Sequence, residues 1–145
     1  MVEEFCSRFA SHANVVYIGD AESKFLHLDA AYLEGIGVII AAAAKMPDVV
    51  VHDTKRNWLL LVEAVVSAGS VDAKRRKELK QLFRGCHAGL VFVTAFLDRQ
   101  SFGRFQQQIS WETEVWIASE PDHIIHFNGV RFLGPYPDAM PSTKS

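Results

Sequence analysis

The sequence has 145 residues, 49% of them hydrophobic and 22% charged, enough for one globular domain around a single sizeable core. Its formal net charge of −2 excludes the clearly basic balance of a stand-alone DNA-binding module, whose affinity comes mostly from phosphate contacts. Acids gathered at a metal site can offset basic residues elsewhere, so nucleic acid is neither supported nor excluded by the total.

Residues 2–11 read as an opening helix with Phe5, Cys6 and Phe9 on one face. Val15-Val16-Tyr17-Ile18 is strand-like and ends at Gly19-Asp20; residues 24–29 are expected to pair with it antiparallel. A short helix over 30–34 stops at Gly35 and Gly37. The β-branched run 49–52 and the apolar run 58–65 read as strands, separated by the polar turn Asp53-Thr54-Lys55-Arg56-Asn57. Asp72 is placed to cap a helix that runs to Arg84 and stops at Gly85, with Leu79, Leu82 and Phe83 as its buried stripe. A buried strand over 89–96, a helix over 99–108, and strands over 114–118 and 123–127 complete the order. The tail from 137 to 145 is polar and is expected to be disordered. The sequence thus predicts an α/β fold, a central mixed sheet flanked by helices.

The longest apolar run, residues 38–44, is far below the roughly 18 residues a membrane-spanning helix requires. The opening Met1-Val2-Glu3-Glu4-Phe5 lacks the basic-then-apolar layout of a signal peptide. Cys6 and Cys86 have no metal-ligand spacing and read as reduced thiols, which suits a cytoplasmic protein without a membrane partner.

The central hairpin carries the chemistry. If the turn takes residues 54–57, Asp53 faces Trp58, Val51 faces Leu60 and Asp48 faces Glu63. Opposed residues share a face of the sheet with Cβ atoms about 4.5–5.5 Å apart. Two carboxylates that close repel each other, and both adjoin apolar sequence where an unpaired charge is costly. A hard, oxygen-liking cation such as Mg²⁺ relieves both problems. The bland reading, two acids solvated at sheet ends, is weakened because Glu63 follows Leu59-Leu60-Leu61-Val62.

Pro47-Asp48, then 14 residues, then Glu63 is the layout of the PD-(D/E)xK nucleases. The surrounding words are more specific. Val16-Tyr17-Ile18-Gly19-Asp20, Lys45-Met46-Pro47-Asp48-Val49-Val50, Arg56-Asn57-Trp58-Leu59, Val62-Glu63-Ala64-Val65, residues 89–96, residues 111–118 and His126-Phe127-Asn128-Gly129 resemble the C-terminal catalytic domain of the BsuBI/PstI restriction endonuclease family. The resemblance spans residues 3–136, so a catalytic domain over 1–136 is expected, with 137–145 as its tail. It implies a type II restriction enzyme: Mg²⁺-dependent hydrolysis of double-stranded DNA by a homodimer at a palindromic site, CTGCAG in the family, with Mn²⁺ able to substitute. It also implies an N-terminal helical domain that this chain lacks, and a prokaryotic cytoplasmic setting.

In that pattern Asp48, Glu63 and the carbonyl of Ala64 are the metal ligands. A lysine normally stands two residues after the second acid, orienting water and stabilising the pentavalent charge. Val65 occupies that position here. Lys74 and Lys45 are the candidate replacements, and holding DNA phosphates is the rival role for both. Lys74-Arg75-Arg76-Lys77, with Lys80 and Arg84, puts six positive charges into 11 residues, read as phosphate contacts against the bland alternative of a solvated helix face. Lys55 and Arg56 in the hairpin turn are weaker DNA-contact candidates. Asp20 and Glu22 read as loop acids rather than outer metal ligands. Trp111 and Trp116 read as core or interface packing rather than base-stacking platforms. Ser67 and Ser110 lack triad partners, the histidines lack zinc spacing, and no phosphate-binding glycine loop is present, so no nucleotide cofactor is implied. Val65 and the Ala41–Ala44 run leave a second class open: a DNA-binding or dimerisation module that keeps the fold without cutting.

Overall fold

The computed structural model describes residues 2–19, 27–41, 44–65 and 71–127. Alternating apolar runs build seven strands: β1 (Ala13–Ile18), β2 (His27–Leu28), β3 (Val49–Asp53), β4 (Trp58–Ala64), β5 (Gly89–Phe96), β6 (Thr113–Ile117) and β7 (Ile124–Phe127). They form one mixed sheet in the order β2-β1-β3-β4-β5-β6-β7. The β4–β5 and β5–β6 pairs are parallel and the others antiparallel. Each parallel step requires a crossover, and α3 (Ala73–Leu82) and α4 (Arg99–Phe105) supply them.

Side-chain alternation assigns the two faces. Leu59 and Leu61 of β4 point to one side, where they pack with Leu33 of α2 (Ala30–Gly35), with Leu79 of α3 and with Phe83 just past its end. Further along this face Phe102 and Phe105 of α4 pack on Val65, Phe96, Val115 and Ile117. Leu60 and Val62 point to the other side, covered by Phe5, Phe9 and Ala10 of α1 (Val2–Phe9) and its end. The fold is therefore the expected α/β architecture with helices on both faces.

Element ends differ from expectation where tertiary contacts decide them. The strand forecast at 24–29 is seen as the two-residue β2; residues 20–26 lie outside the described ones. The helix forecast to reach Arg84 ends at Leu82, since Phe83 already leaves helical geometry at φ −101° and ψ 18°, ahead of Gly85 at φ +87°. There it meets Gly37 so closely that a Cβ on Gly37 would lie 2.3 Å from the Gly85 carbonyl oxygen. The fourth helix ends at Phe105, with a 3₁₀ turn over Gln106–Gln108. The expected tail, Asp20, Glu22, Ser67 and Ala42-Ala43 of the alanine run also fall outside the described residues.

The hairpin turn is closed from within. Asp53 is 3% exposed, and its Oδ1 accepts the Lys55 and Arg56 backbone N–H groups at 3.1 and 3.2 Å. Its Oδ2 accepts Arg56 Nε at 2.7 Å, while Arg56 Nη2 donates to the Phe9 carbonyl and ties the turn to α1. Burial pushes the Asp53 carboxyl up. The Arg56 hydrogen bonds and charge, with the Lys55 N–H, outweigh burial and hold it below the usual range. A folded value below the unfolded one stabilises above the unfolded pKa, about 3.9, and that stabilisation is lost as pH falls through the folded value. Asp53→Asn is therefore expected to cost about 1.5–3 kcal/mol at neutral pH. It should also flatten the loss of stability on acidification. Urea titrations at pH 7 and pH 3 check this; equal losses for the variant and the parent over that range would refute it.

A second polar chain braces the opposite face of the same hairpin. Tyr32 Oη lies 2.6 Å from His52 Nδ1, His52 Nε2 lies 3.0 Å from Asn57 Oδ1, and Asn57 Nδ2 donates to the His87 carbonyl at 3.1 Å. With the Asn57 amide donating to a carbonyl, its oxygen faces the ring, so His52 carries its proton on Nε2 and accepts from Tyr32. His52 shares the Asp48 face as alternation requires, and its role there is structural.

Candidate active site at the end of the central hairpin

The register puts Asp53 opposite Trp58, Val51 opposite Leu60 and Val49 opposite Val62, which is the expected pairing. One step further lie Asp48 and Glu63, at the end of the hairpin remote from its turn. Asp48 Oδ2 accepts the Ala64 backbone N–H at 2.7 Å, so the first acid is fastened to the strand that carries the second. The Asp48 carbonyl in turn accepts the Gly19 N–H at 2.8 Å, bringing the end of β1 to the same point.

Electrostatics record how close the acids are. Glu63 is raised above its ordinary value, first by burial and further by the Asp48 charge; Arg75 and Lys45 pull the other way. Burial and the same Asp48 charge push the Tyr17 phenol up. A partly buried carboxylate raised by burial, with a second acid beside it, is a situation a divalent cation relieves. The donors, two carboxylates and the Ala64 carbonyl, are all hard oxygens that fit Mg²⁺ or Mn²⁺. Among the described residues no cluster of three or more His, Cys, Asp or Glu side chains forms a metal site.

The expected cations take different places. Val65 is buried against Phe96, Ile109, Val115 and Ile117, and its N–H donates to the Ala95 carbonyl at 2.9 Å. The position two after Glu63 is thus part of the core. Lys74, a candidate replacement with phosphate contact as its rival role, has a side chain that is 86% exposed, its ammonium 4.0 Å from Glu78 of its own helix. Lys45 is also exposed, but its charge acts on Glu63.

Arg75 departs furthest from expectation. As one of a basic run it reads as a phosphate contact, yet its side chain is 10% exposed and its guanidinium pairs with Glu63. Nε and Nη2 lie 3.2 and 2.7 Å from Glu63 Oε1, and Nη2 also donates to the Lys45 carbonyl at 3.1 Å. The signal was in the spacing: Arg75, Leu79 and Phe83 stand four apart, so the buried stripe of α3 begins at the arginine. Arg56 stays exposed but is committed within the chain, clasped by the buried Asp53 with its guanidinium 4.4 Å over the Trp58 ring, and Lys55 is exposed as well. Arg76 lies 4.9 Å over Phe92 and 3.8 Å from Glu112.

Beyond Arg76 a groove of about 520 Å³ runs between α3 and residues 107–112. Lys77 and Lys80 stand on one side and Gln107, Ser110 and Trp111 on the other. The two tryptophans part company here: Trp116 is fully buried, whereas Trp111 is 67% exposed. Core or interface packing was expected for both, and the core accounts for Trp116 alone.

Comparison with known proteins places this geometry in context. The family model described as BsuBI/PstI restriction endonuclease domain matches residues 1–130. The type II restriction enzyme BsuBI of Bacillus subtilis is 50% identical over 136 residues, covering 94% of this chain and 43% of that protein. The type II restriction enzyme AplI of Arthrospira platensis is 31% identical over 140 residues, covering 92% of this chain and 43% of its own length. The solved structure of the SdaI restriction endonuclease superposes with a TM-score of 0.87 at 46% identity, over 94% of this chain and 43% of that one. The chain therefore spans less than half the length of the relatives it matches.

Proposed function

The chain belongs to the BsuBI/PstI restriction endonuclease domain family, and from that premise we propose that it is the catalytic domain of a type II restriction endonuclease, hydrolysing phosphodiester bonds of double-stranded DNA with Mg²⁺ at Asp48 and Glu63. The observation that carries this reading is the fastening of Asp48 to the β4 backbone next to Glu63, at an accessible end of the sheet. Residues 1–136 are the catalytic unit. A homodimer matches a palindromic target by two-fold symmetry, for which the family sequence CTGCAG is the first to try. The 43% coverage of BsuBI is consistent with an additional domain in the complete enzyme. A prokaryotic cytoplasm is the setting for such an activity, and no helix among the described residues is long and apolar enough to cross a membrane.

A divalent metal held by Asp48, Glu63 and the Ala64 carbonyl would supply Lewis-acid polarisation of the scissile phosphate and activation of water. The chain's own groups do the rest. Asp48 and Glu63 offer carboxylate oxygens and Ala64 its carbonyl. Lys45, whose charge already acts on Glu63, takes the task of the superfamily lysine beside the reacting phosphate. Lys74, Lys77 and Lys80 along the exposed side of α3 meet the DNA backbone and fix its register without reading sequence.

The test is cleavage of supercoiled plasmid by the purified chain with Mg²⁺, Mn²⁺ or EDTA, alongside thermal melting with the same metals. Metal-dependent nicking or linearisation and a metal-linked rise in melting temperature are expected. DNA binding with neither response supports the non-cutting reading, which the core placement of Val65 favours. For the phosphate contacts, Lys77→Ala and Lys80→Ala are each expected to weaken binding evenly across sequences and to lower the salt slope by about one. Unchanged slopes for both, measured by fluorescence anisotropy, would place the groove off the DNA path.

A further inference from the structure

We propose that Arg75 is the positioning residue of the metal site, a single guanidinium that orients Glu63 and fixes the segment carrying Asp48, a role separate from that of the Lys45 ammonium. This rests on the metal-site reading given above. Position 65 is filled by a core valine, so no side chain there can attend Glu63. The cation bonded to Glu63 comes instead from α3. Asp72 caps that helix by accepting the Arg75 backbone N–H at 2.7 Å, which sets the arginine one turn inside a fixed helix start.

From there the guanidinium bridges three elements. It donates twice to Glu63 Oε1 on β4, once to the carbonyl of Lys45 three residues before Asp48, and lies 3.5 Å from Glu78 on its own helix. Both contacts to Glu63 fall on Oε1, so they do not occupy the other carboxylate oxygen. Asp48 is held independently, by the Ala64 N–H. The two acids are thus oriented from opposite sides, one by the sheet backbone and one by a helix side chain. A planar guanidinium can reach two acceptors at fixed angles, which the single ammonium of lysine cannot reproduce. Outer partners that hold ligand carboxylates commonly govern metal affinity as strongly as some ligands do. Because its donors are committed inward, Arg75 does not share the phosphate-gripping task of Lys74, Lys77 and Lys80.

The experiment is Mn²⁺ titration of the DNA-free chain by calorimetry, for the parent, Arg75→Ala, Arg75→Lys and Asp48→Ala, with and without methylguanidinium. Arg75→Ala is expected to weaken Mn²⁺ binding by roughly tenfold to a hundredfold. Methylguanidinium should restore part of that loss and leave the parent unchanged. Arg75→Lys should remain weakened, since it keeps charge but not the bridge. Parent-like or tighter binding by a folded Arg75→Ala variant, or no response of that variant to methylguanidinium, overturns the assignment. If Arg75→Ala does not fold, Arg75→Lys decides, with parent-like affinity counting against the proposal. Asp48→Ala separates the two layers: if it binds Mn²⁺ as the parent does, the metal-site reading falls and takes this inference with it.

Discussion

Asp48→Asn is expected to abolish metal-dependent DNA cleavage, by at least about a thousandfold or some 4 kcal/mol of transition-state stabilisation, while the protein stays folded. The substitution separates two things Asp48 does. Its Oδ2 accepts the Ala64 N–H at 2.7 Å, and an asparagine oxygen can accept the same bond. The hairpin end therefore keeps its geometry, and the stability change should stay within about 1 kcal/mol because no donor is left unsatisfied. What is lost is a hard anionic oxygen, without which a divalent cation has only Glu63 and a carbonyl. The Asp48 charge also raises the Glu63 carboxyl, so in the variant that contribution disappears and Glu63 moves toward its ordinary value. Plasmid cleavage in Mg²⁺ and Mn²⁺ gives the rate, and calorimetric Mn²⁺ titration gives the affinity. A variant that cuts within tenfold of the parent would remove Asp48 from the metal site.

The sequence was most informative where local chemistry and tertiary packing agree. Residues 49–51 and 59–62 are apolar on both faces because the strands are central, and a turn over 54–57 was the one assumption needed to bring Asp48 and Glu63 together, one step past the last observed pair, Val49 and Val62. Asp72 and Gly85 marked α3 because a side-chain cap and a positive-φ stop both act on backbone within a few residues of themselves. The cation of the site was harder to read. Superfamily spacing directs attention two residues past Glu63, to a strand position that the core has claimed. The arginine that reaches Glu63 stands twelve residues later on a helix, and the basic residues around it, Lys74, Arg76 and Lys77, disguise it as one of a charged run. Only its four-residue spacing from Leu79 and Phe83 distinguished it. Arg56 was obscured in a related way: a basic residue in a polar turn reads as surface, and it is exposed, yet its donors are taken by the buried Asp53 and the Phe9 carbonyl. Charge placement depends on partners distant in sequence, whereas strand register and helix caps depend on neighbours.

Trp116→Ala is expected to cost about 3–5 kcal/mol of folding stability, the largest loss from any single substitution considered for this fold. Trp116 is fully buried on the face opposite the active site, in the cluster with Val49, Val51, Leu60 and Val62 of the central hairpin. Its ring meets Phe5 edge-on at 5.4 Å, and α1 covers this face of the sheet. The indole Nε1 donates to the Pro121 carbonyl at 2.9 Å, pinning the connection between β6 and β7. Truncation therefore removes the largest side chain between α1 and the sheet and leaves a carbonyl without its donor. Trp116→Phe keeps most of the apolar volume and the edge-to-face partner but loses the hydrogen bond, so it should cost distinctly less. Against a typical domain stability of about 5–15 kcal/mol, the alanine variant loses a large share of the total, and its urea midpoint should fall accordingly. Equal midpoints for the alanine variant and the parent would mean that α1 is not secured through this ring. The consequence reaches the active site, because the cluster Trp116 anchors includes Val49 and Val62, the last pair of the hairpin ladder before Asp48 and Glu63. Loosening that pair should weaken Mn²⁺ binding in Trp116→Ala even under conditions where the protein remains folded, and more than in Trp116→Phe.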